Sequence, residues 1–492
     1  MTAEDSIGLG LGTYSFRYEV VGYDTDLRDG LTNTQVTTEM REESDRIGRE
    51  RAAKVKAAMQ HVWTNYRQYA WGWDELAPRT KKGKNPWGSM GVTLVDSLDT
   101  LWLMGMKDEF WEARDWVRDK LTFDKANSVS VFETTIRELG GLLSAYDLSG
   151  DKTFLTKAQM LGDKLLPAFN TNSGLPTSHV NFKSGTARRS QSVLAEIGTL
   201  QVEFRYLSHA TGDPKYANKV NHVFEHLAQI GGNHGLYPIY FSPTNGRSTT
   251  TQVTLGALGD SFYEYLLKVW LQGGKTESTY RDMYDRAMDG VAEVLIKKSN
   301  PSGMTFVSDW NGSRNINKMD HLVCFLAGSL ALGSTTHEDP EKAERDLRLA
   351  KALAFTCYNM YSRQKTGLAP EMVNFRDGQD MVVPGNAGYY KLRPETAESL
   401  FILHQITGDP IYREWSWSIF QAIEKHCKTP NGYGSHPDVN NPSARAEDNL
   451  ESFFLAETLK YLFLIQDPDH IVDLTKVVFN TEAHPLRIFS ET

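Results

Sequence analysis

Hydrophobic residues recur at helical spacing along most of the chain. The segment RERAAKVKAAMQHVWTNYRQYAW, which begins at residue 49, places Val55, Met59, Val62 and Trp63 three and four positions apart. This spacing puts apolar side chains on one face of an amphipathic helix. Similar segments continue to residue 466, whereas segments with the alternating pattern of a β-strand are few and short. The pattern predicts an all-α fold.

A short turn motif repeats between helical segments. It reads LSGDKTF at 148–154, ATGDPKY at 210–216 and ITGDPIY at 406–412. Each copy supplies a glycine that can end one helix in a left-handed conformation and an aspartate that can cap the next helix. The first two copies lie 62 residues apart and the third follows 196 residues later, close to three further spacings. Helical hairpins of roughly 63 residues predict about seven hairpins, which could form an open solenoid or a closed ring.

The N-terminal segment differs from the rest of the chain. Residues 1–45 mix Gly, Thr, Asp and Glu without a sustained helical period, so we expect an irregular extension or stem, followed by a single domain over 46–492. The first residues, MTAEDSIGLGLG, lack the basic start and apolar core of a signal peptide. The longest apolar run, at 322–333, is too short to cross a membrane. We therefore expect no membrane span in this chain.

Composition indicates a soluble globular protein. The chain of 492 residues has 53 basic and 62 acidic residues, a net charge of −9, and a hydrophobic fraction of 40%. This balance offers no basic surface for phosphates, so we expect no nucleic-acid partner. We also expect a monomer. The cysteines Cys324, Cys357 and Cys427 fit neither a zinc cluster nor a dense disulfide scaffold. Their spacing is equally compatible with one bridge or none.

Carboxylates occur in several segments that are otherwise suited to burial. They are Glu133, Asp260, Glu395, Glu398, Glu451 and Glu457. Each has an ordinary structural explanation, because an acid in a first helical turn is favoured by the helix dipole and Glu133 can pair with Arg137 one turn away. Together, however, they would repel one another unless arginines, water or a cation compensated them. Ca²⁺, which prefers six to eight oxygen ligands, is one such cation.

The segment VFNTEAHPLR at 478–487 concentrates polar groups near the C-terminus. Asn480, Thr481, Glu482 and His484 follow an apolar pair, and Pro485 is expected to prevent continuation of a regular element. A threonine can offer its hydroxyl and its carbonyl oxygen to one cation. The alternative is a C-terminal turn in which Thr481 and His484 bond the local backbone. The segment by itself favours the turn.

Seven stretches, taken together and in order, resemble the class I α-1,2-mannosidases of glycoside hydrolase family 47. They span about 50–487 and read GVTLVDSLDTLWLMGM, VFETTIRELGGLLSAYDLSGD, LGDSFYEYLLK, KMDHLVCFLAG, LRPETAESLF, ESFFLAETLKYLFL and VFNTEAHPL. The resemblance implies a closed (α/α)7 barrel. It also implies an inverting, calcium-dependent exo-hydrolase that removes terminal α-1,2-linked mannose from high-mannose N-glycans during N-glycan processing.

The same resemblance implies roles for individual residues. Glu133 matches the acid that protonates the leaving group through a water, Glu395 matches the proposed base, and Asp260 matches a third essential carboxylate that competes with Glu395 for the role of base. Thr481 matches the direct calcium ligand, and the acids that organise calcium-bound waters are Glu398, Glu457 and Glu482. The residues expected to line the sugar pocket are Arg137, Glu196, His321, Glu371, Arg393 and Phe453, of which Phe453 stacks on the terminal mannose.

Residue 258 bears on specificity and on the type of family member. Endoplasmic-reticulum members carry an arginine at this position, which restricts cleavage to one mannose, whereas Golgi members carry leucine. Leu258 therefore implies broader trimming, from nine or eight mannoses toward five. We expect a location in the lumen of the secretory pathway, in the Golgi with the membrane anchor absent from this chain, or secretion.

The resemblance also concerns the cysteines. Cys324 and Cys357 match a pair that is disulfide-bonded in endoplasmic-reticulum and Golgi members, which implies an oxidising lumen and leaves Cys427 free. The glycosylation acceptor at Asn311, within Asn-Gly-Ser, is compatible with that compartment.

Three other interpretations of the sequence stay open. The chain could be a quality-control relative within the family, although such proteins usually carry extra C-terminal domains. It could be a catalytically silent, lectin-like protein that binds mannose glycans in glycoprotein quality control. It could also be a helical scaffold that binds proteins on its surface, which would have no need of oxygen ligands inside a ring. Retention of Glu133, Asp260 and Glu395 favours the enzyme over the lectin.

Overall fold

The computed structural model describes residues 36–124, 128–187 and 190–489. Helices account for most of these residues. The α-helices are α1 (Thr38–Tyr69), α2 (Val92–Asp96), α3 (Leu98–Leu103), α4 (Lys107–Lys120), α5 (Val131–Glu133), α6 (Gly140–Ser149), α7 (Lys152–Leu165), α8 (Leu194–Ile197), α9 (Gln201–Thr211), α10 (Lys215–Ile230), α11 (Asp260–Gln272), α12 (Ser278–Gly290), α13 (Phe325–Ser334), α14 (Pro340–Ser362), α15 (Glu395–Thr407), α16 (Ile411–His426) and α17 (Leu459–Gln466).

Wider and tighter helical turns extend several of these helices. One π-helical segment, Thr134–Leu139, joins α5 to α6, a second, Val291–Leu295, follows α12, and a third, Phe454–Thr458, precedes α17. Two 3₁₀ turns, Leu166–Phe169 and His321–Cys324, follow α7 and precede α13.

The longer helices form two concentric rings. Inner helices α9, α11 and α15 are buried around nearly their whole circumference, whereas the outer helix α10 buries one stripe, from Tyr216 to Leu227. Each inner helix packs against the outer helix beside it, in the pairs α3–α4, α6–α7, α9–α10, α11–α12, α13–α14 and α15–α16. The seventh pair joins α17, the last helix, to α1, the first.

Contacts between inner helices close the ring. They run from α3 to α6, α9, α11, α13, α15 and α17, and the π-helical segment before α17 packs back against α2 and α3. The predicted all-α barrel of about seven hairpins is therefore confirmed. Closure also decides between the two arrangements that helical periodicity left open, in favour of the ring.

The repeated turn motif has the predicted conformation. Gly150, Gly212 and Gly408 end their helices with φ of +73°, +73° and +65°. The aspartate after each glycine then accepts a hydrogen bond from the amide two residues later, for example Asp151 from Thr153 at 2.8 Å. These three motifs connect α6 to α7, α9 to α10 and α15 to α16.

The predicted boundary of the N-terminal extension at residue 45 is wrong. Helix α1 begins at Thr38, and the hydroxyl of Thr37 accepts a hydrogen bond from the amide of Met40 at 3.2 Å. The first turns of α1 are held by tertiary contacts, since the guanidinium of Arg413 bonds Ser44 at 3.1 Å and Asp45 at 2.6 Å. Residues 1–35, to which the rest of that prediction applies, lie outside the described residues.

Short antiparallel strands lie in the segments that connect the helices. Two-stranded sheets pair β1 (Glu75–Ala77) with β2 (Lys82–Lys84), β6 (Ser192–Val193) with β7 (Tyr240–Phe241), β8 (Ile296–Lys298) with β9 (Thr305–Val307), β10 (Asp309–Trp310) with β11 (Asn315–Ile316), and β15 (Lys428–Thr429) with β16 (Gly432–Tyr433). Three-stranded sheets contain β3 (Ser128–Ser130), β4 (His179–Asn181) and β5 (Thr186–Ala187), and β12 (Lys318–Asp320), β13 (Met372–Arg376) and β14 (Asp380–Val382).

A final hairpin lies inside the ring. Its strands β17 (Val477–Phe479) and β18 (Pro485–Arg487) pair in antiparallel register, with Phe479 opposite Pro485. The hairpin packs against inner helices α6 and α11. Strand β17 ends before Pro485, and no element continues through the proline, in agreement with the sequence. Pro485 instead begins the new strand β18, a position where proline is tolerated because no ladder N–H is required.

The predicted disulfide is present. Cys324, in the 3₁₀ turn before α13, is bonded to Cys357 in α14, and Cys427 is a buried free thiol. Asn311 is exposed in the turn between β10 and β11, and its glycosylation stays a prediction. Across the described ranges, the helices that are long enough to span a bilayer are too polar to do so.

Replacing both bridged cysteines by alanine should destabilise the protein by about 2–4 kcal/mol, because the bridge restricts the unfolded chain across a separation of 33 residues. Denaturant unfolding without reductant measures this difference. Cys427→Ala is the matched control, since it removes a buried thiol without removing a cross-link. Equal stability of the double variant and the wild type would contradict the structural role of the bridge.

Candidate active site

The loop 480–484 connects β17 to β18 inside the ring, and Asn480 determines its shape. The side-chain amide of Asn480 donates to the carbonyl of Ile136 at 2.9 Å and to the carboxylate of Glu203 at 2.7 Å. Its side-chain oxygen accepts the backbone N–H groups of Glu482 at 2.9 Å and His484 at 2.8 Å. All four hydrogen-bonding positions of this amide are therefore used inside the protein.

His484 fixes the other end of the loop. Its Nε2 lies 2.9 Å from Asp96 and its Nδ1 lies 2.7 Å from Asp99, and all three side chains are fully buried. Burial by itself lowers the pKa of His484, but the carboxylates of Asp99 and Asp96 outweigh that effect and raise it. Lys460 adds a second cation, since its Nζ lies 2.9 Å from Asp99 and donates to the carbonyl of Ala483. The loop is thus tied to helices α2, α3 and α17.

Thr481 points toward helix α11. Its hydroxyl donates to Glu264 at 2.8 Å, and its backbone N–H donates to the hydroxyl of Tyr265 at 3.2 Å. Glu264 is also bonded to Lys268 one turn further along α11. The hydroxyl of Thr481 and the carboxylate of Glu264 therefore lie side by side.

The three acids predicted to organise calcium-bound waters are buried near this loop. Burial raises the pKa of Glu398, Glu457 and Glu482 well above the usual range. Their mutual repulsion adds to the effect for Glu457 and Glu482, while Lys268 opposes it at Glu398 and Arg137 opposes it at Glu482. The acids thus share one electrostatic environment with too little positive charge from the protein.

Glu395, by contrast, is held in its ionised form. It is the first residue of α15, directly after Pro394. Its carboxylate lies 2.7 Å from Nδ1 of His321, whose Nε2 lies 2.8 Å from the hydroxyl of Tyr361. Burial raises the pKa of Glu395, but His321 and then Arg393 outweigh burial and lower it.

Asp260 stands at the start of α11 and interacts with the same acids. Burial raises its pKa to about 7, and the negative charges of Glu264, Glu395 and Asp320 add to the increase. The backbone N–H of Ser261, which donates to Asp260 at 2.9 Å, opposes it. Asp260 and Glu395 therefore lie close enough to interact electrostatically, although they are 135 positions apart in the sequence.

Glu133 is connected to the loop through Arg137. The two residues lie four positions apart, on one helical face, and Nε of Arg137 bonds the Glu133 carboxylate at 2.8 Å. The other end of the Arg137 guanidinium donates to Ser452 at 2.8 Å and lies 3.3 Å from Glu482. Arg137 thus links the predicted leaving-group acid to the predicted metal site.

The remaining predicted pocket residues surround this cluster. Phe453 lies 5.6 Å from the guanidinium of Arg137, and Arg393 forms a double hydrogen bond with Glu371, one arm of which measures 2.6 Å. Glu196 accepts a hydrogen bond from Ser178, and burial raises its pKa, with a further contribution from Glu133.

Leu258 is held outward near Asp260. Its side chain is 39% exposed, and its φ of +81° is unusual for a residue with a Cβ. Its carbonyl accepts the backbone N–H of Ala195 at 2.9 Å, which keeps this conformation in place. The side chain is therefore available to contact a ligand that reaches Asp260.

Several residues of the site were not assigned from the sequence. They are Asp96, Asp99, Glu264, Lys268, Tyr361, Ser452, Lys460 and His484. Glu264 could have been assigned to the site from the sequence, because it follows Asp260 by four positions and so lies on the same helix face. The contact between Asp96 and His484 could not be predicted, since it joins positions 388 residues apart, although the polar segment 480–484 drew attention to His484.

The donor set suits a hard cation. Thr481 presents oxygen atoms, and the surrounding acids Glu264, Glu398, Glu457 and Glu482 also present oxygen, which is the ligand type that Ca²⁺ prefers. Nowhere in the described ranges do three His, Cys, Asp or Glu side chains converge closely enough to coordinate an ion directly. Coordination through Thr481 and waters fits this arrangement.

Comparison with known proteins decides the family. Residues 58–488 match the model of glycosyl hydrolase family 47. The chain belongs to glycosyl hydrolase family 47. It is therefore a glycoside hydrolase, which argues against the lectin and scaffold interpretations.

Relatives of this family 47 enzyme are similar along most of their length. Mannosyl-oligosaccharide 1,2-alpha-mannosidase MNS1 of Arabidopsis thaliana is 49% identical, over 94% of this chain and 83% of its own. Mannosyl-oligosaccharide 1,2-alpha-mannosidase IB of Homo sapiens is 45% identical, over 89% and 70%. The endoplasmic reticulum mannosyl-oligosaccharide 1,2-alpha-mannosidase of Homo sapiens is 46% identical, over 87% of this chain and 63% of its own.

Solved structures show the same barrel. The alpha-1,2-mannosidase from Trichoderma reesei superposes with a TM-score of 0.83 at 32% identity, covering 89% of this chain and 99% of that one. A cellobiose 2-epimerase from Spirochaeta thermophila superposes with a TM-score of 0.55 at 11% identity, covering 89% and 100%, and shares the fold alone.

The buried His484 network makes a testable contribution to the stability of this enzyme. Because the pKa of His484 is raised, its contribution is complete below the unfolded value of about 6.5 and is lost as pH rises through the folded value. The unfolding free energy should therefore fall with rising pH above about 6.5. The His484→Gln variant should lose this part of the decline and keep only the shallower decline caused by the buried acids whose pKa is also raised. It should be less stable than wild type by about 3–5 kcal/mol near pH 6, since Asp96 and Asp99 lose the cation that lies between them.

Urea unfolding between pH 5 and 9 measures both effects. His179→Gln is the matched control, because His179 is exposed and lies on β4. The same alkaline decline in wild type and His484→Gln would show that another group causes it.

Proposed function

We propose that this enzyme removes terminal α-1,2-linked mannose from high-mannose N-glycans with inversion and with the aid of Ca²⁺. The observation that carries the proposal is the convergence of Glu133, Asp260 and Glu395 with the Thr481 loop, inside a barrel of family 47. The names of the relatives supply the substrate class, since each is a mannosyl-oligosaccharide 1,2-alpha-mannosidase.

The environments of Glu133 and Glu395 support different roles. An inverting glycosidase needs an acid at the leaving oxygen and a base that activates water on the opposite face of the sugar. Glu395 suits the base, because His321 and Arg393 keep it ionised. Glu133 comes from a separate element, and Arg137 fixes the position of its carboxylate, which places it for the role of acid that the family resemblance implies. Asp260, whose pKa is raised to about 7, is less suited to act as the base.

Thr481 would hold Ca²⁺ through its hydroxyl and carbonyl oxygens, and Glu264, Glu398, Glu457 and Glu482 would hold the ion's waters. A bound calcium ion would supply a positive charge that binds sugar hydroxyls and favours ring distortion toward the transition state. The shortage of positive charge around these buried acids supports this assignment, because a divalent cation would offset their repulsion.

The pocket residues would orient the terminal mannose. Phe453, next to Arg137, offers an aromatic face for stacking on the sugar. The Arg393–Glu371 pair and Glu196 offer donors and acceptors for sugar hydroxyls. Leu258 is exposed and places no cationic side chain beside Asp260. This supports the removal of several mannoses, from nine or eight toward five.

The enzyme would act in the lumen of the secretory pathway, in the Golgi, or after secretion. The Cys324–Cys357 bridge supports an oxidising compartment. The relatives include a protein whose name places it in the endoplasmic reticulum.

Digestion of a labelled nine-mannose N-glycan tests this function. The wild type with Ca²⁺ should release several mannoses and stop near five, and a chelator should abolish the activity. Glu133→Gln, Glu395→Gln and Asp260→Asn should each lower kcat by about 100- to 10,000-fold, since each removes a carboxylate from the reaction. Glu341→Gln, on the exposed first turn of α14, is the control and should keep full activity. Undiminished turnover in chelator, or in Glu395→Gln, would contradict the proposal.

Leu258→Arg tests the specificity. A long cationic side chain at this exposed position would restrict the approach to Asp260, so digestion should stop near eight mannoses. Leu258→Met, which conserves volume and lacks charge, should still reach five. If Leu258→Arg also reaches five at the wild-type rate, residue 258 does not set the extent of trimming.

A further inference from the structure

Glu203 is a buried acid that lies beneath the Thr481 loop and has no part in the mechanism above. It belongs to α9 and is 0% exposed. One of its oxygens, Oε1, accepts two hydrogen bonds, from the hydroxyl of Tyr265 at 2.6 Å and from the amide of Asn480 at 2.7 Å. Its other oxygen, Oε2, has no hydrogen-bond partner among the described residues. A single oxygen atom therefore joins helices α9 and α11 to the loop.

This oxygen determines which way the Asn480 amide faces. An acceptor at Oε1 requires the NH₂ group of Asn480 to point toward Glu203 and toward the carbonyl of Ile136. The side-chain oxygen of Asn480 must then face the backbone N–H groups of Glu482 and His484. In the opposite orientation, NH₂ would face those N–H groups, and buried donors would be left without acceptors. The path of the chain after Thr481 thus depends on Glu203.

The same oxygen determines the direction of the Tyr265 hydroxyl. Because the hydroxyl proton is donated to Glu203, a lone pair of the Tyr265 oxygen is free to accept the backbone N–H of Thr481 at 3.2 Å. Thr481 is held at the same time through its hydroxyl, which donates to Glu264 at 2.8 Å. Glu203 therefore acts on the backbone before Thr481 through Tyr265 and on the backbone after it through Asn480.

We propose that Glu203 is a positioning residue that holds the hydroxyl and carbonyl oxygens of Thr481 in the geometry that binds Ca²⁺. It touches neither the ion nor the sugar, and it acts through Tyr265 and Asn480. This inference rests on the calcium site of the proposed function. Partners that orient a metal ligand from outside the coordination sphere commonly change metal affinity by about 10- to 100-fold when they are removed.

Calcium titration calorimetry on the full chain tests the inference. Glu203→Leu removes the acceptor at similar volume and should weaken Ca²⁺ binding by about 10- to 100-fold. Glu203→Gln keeps an acceptor oxygen at the Oε1 position and should stay within about threefold of the wild-type Kd, since the oxygen it replaces makes no hydrogen bond. Tyr265→Phe should weaken binding as well. The double variant Glu203→Leu/Tyr265→Phe should bind Ca²⁺ no more weakly than whichever single variant has the higher Kd. This is expected because both substitutions interrupt the same chain of hydrogen bonds.

Gln272→Leu separates positioning from general stability. Gln272 is a fully buried polar residue of α11 that bonds the carbonyl of Val202, next to Glu203, and makes no contact with the loop among the interactions of the described residues. It should lower the melting temperature in chelator while leaving the calcium Kd unchanged. Tyr265→Phe keeps the test decisive if Glu203→Leu does not fold.

The outcomes distinguish this inference from the calcium site itself. An unchanged Kd in Glu203→Leu or Tyr265→Phe, or an equal loss in Gln272→Leu, would overturn the positioning role and leave the calcium site standing. A wild type that binds no Ca²⁺ would overturn the calcium site and the positioning role together. Selective loss in Glu203→Leu and Tyr265→Phe, with recovery in Glu203→Gln, is the expected result.

Discussion

The structure depends on how a closed ring of helices accommodates buried carboxylates. Glu398, Glu457 and Glu482 lie where burial and mutual repulsion oppose their charge, and Arg137 and Lys268 compensate them in part. Burying a charge without compensation is costly, so a fold that concentrates acids in this way requires further positive charge or bound protons. The polar loop 480–484 lies inside the ring, where Glu482 and Arg137 approach each other to 3.3 Å.

Ring closure brings these groups together. The acids come from α5, α11, α15, the π-helical segment before α17 and the final hairpin, which are spread over some 350 residues of sequence. These elements surround one space because the inner helices contact one another in order and the π-helical segment before α17 packs back against α2 and α3. The Asp96–His484–Asp99 contact then fastens the hairpin to the first inner helices, so the last part of the chain and the first become one unit. The Asp96–His484–Asp99 contact therefore contributes both to the stability of the fold and to the position of the Thr481 loop.

Most of the fold could be predicted from local sequence patterns. The spacing of the repeated glycine–aspartate turn predicted the length of a helical hairpin, and the apolar residues around Asp260 and Glu395 identified both acids as unusual. The start of α1 was misplaced because Arg413, far away in sequence, holds its first turns through Ser44 and Asp45. The strand that begins at Pro485 was not predicted, because its three residues are too few to show an alternating pattern. Contacts such as Glu203 with Asn480 join positions 277 residues apart, and no local pattern reports them.

A calcium ion bound at Thr481 would complete the acid-rich space inside the ring. A crystal structure of the enzyme grown with Ca²⁺, with the ion located by its anomalous signal, tests this most directly. The account predicts one ion that is bound by the hydroxyl and carbonyl oxygens of Thr481, with waters in its other positions and Glu264, Glu398, Glu457 and Glu482 bonded to those waters. An ion bound directly by several of these carboxylates, or a space that holds no ion at saturating Ca²⁺, would contradict it.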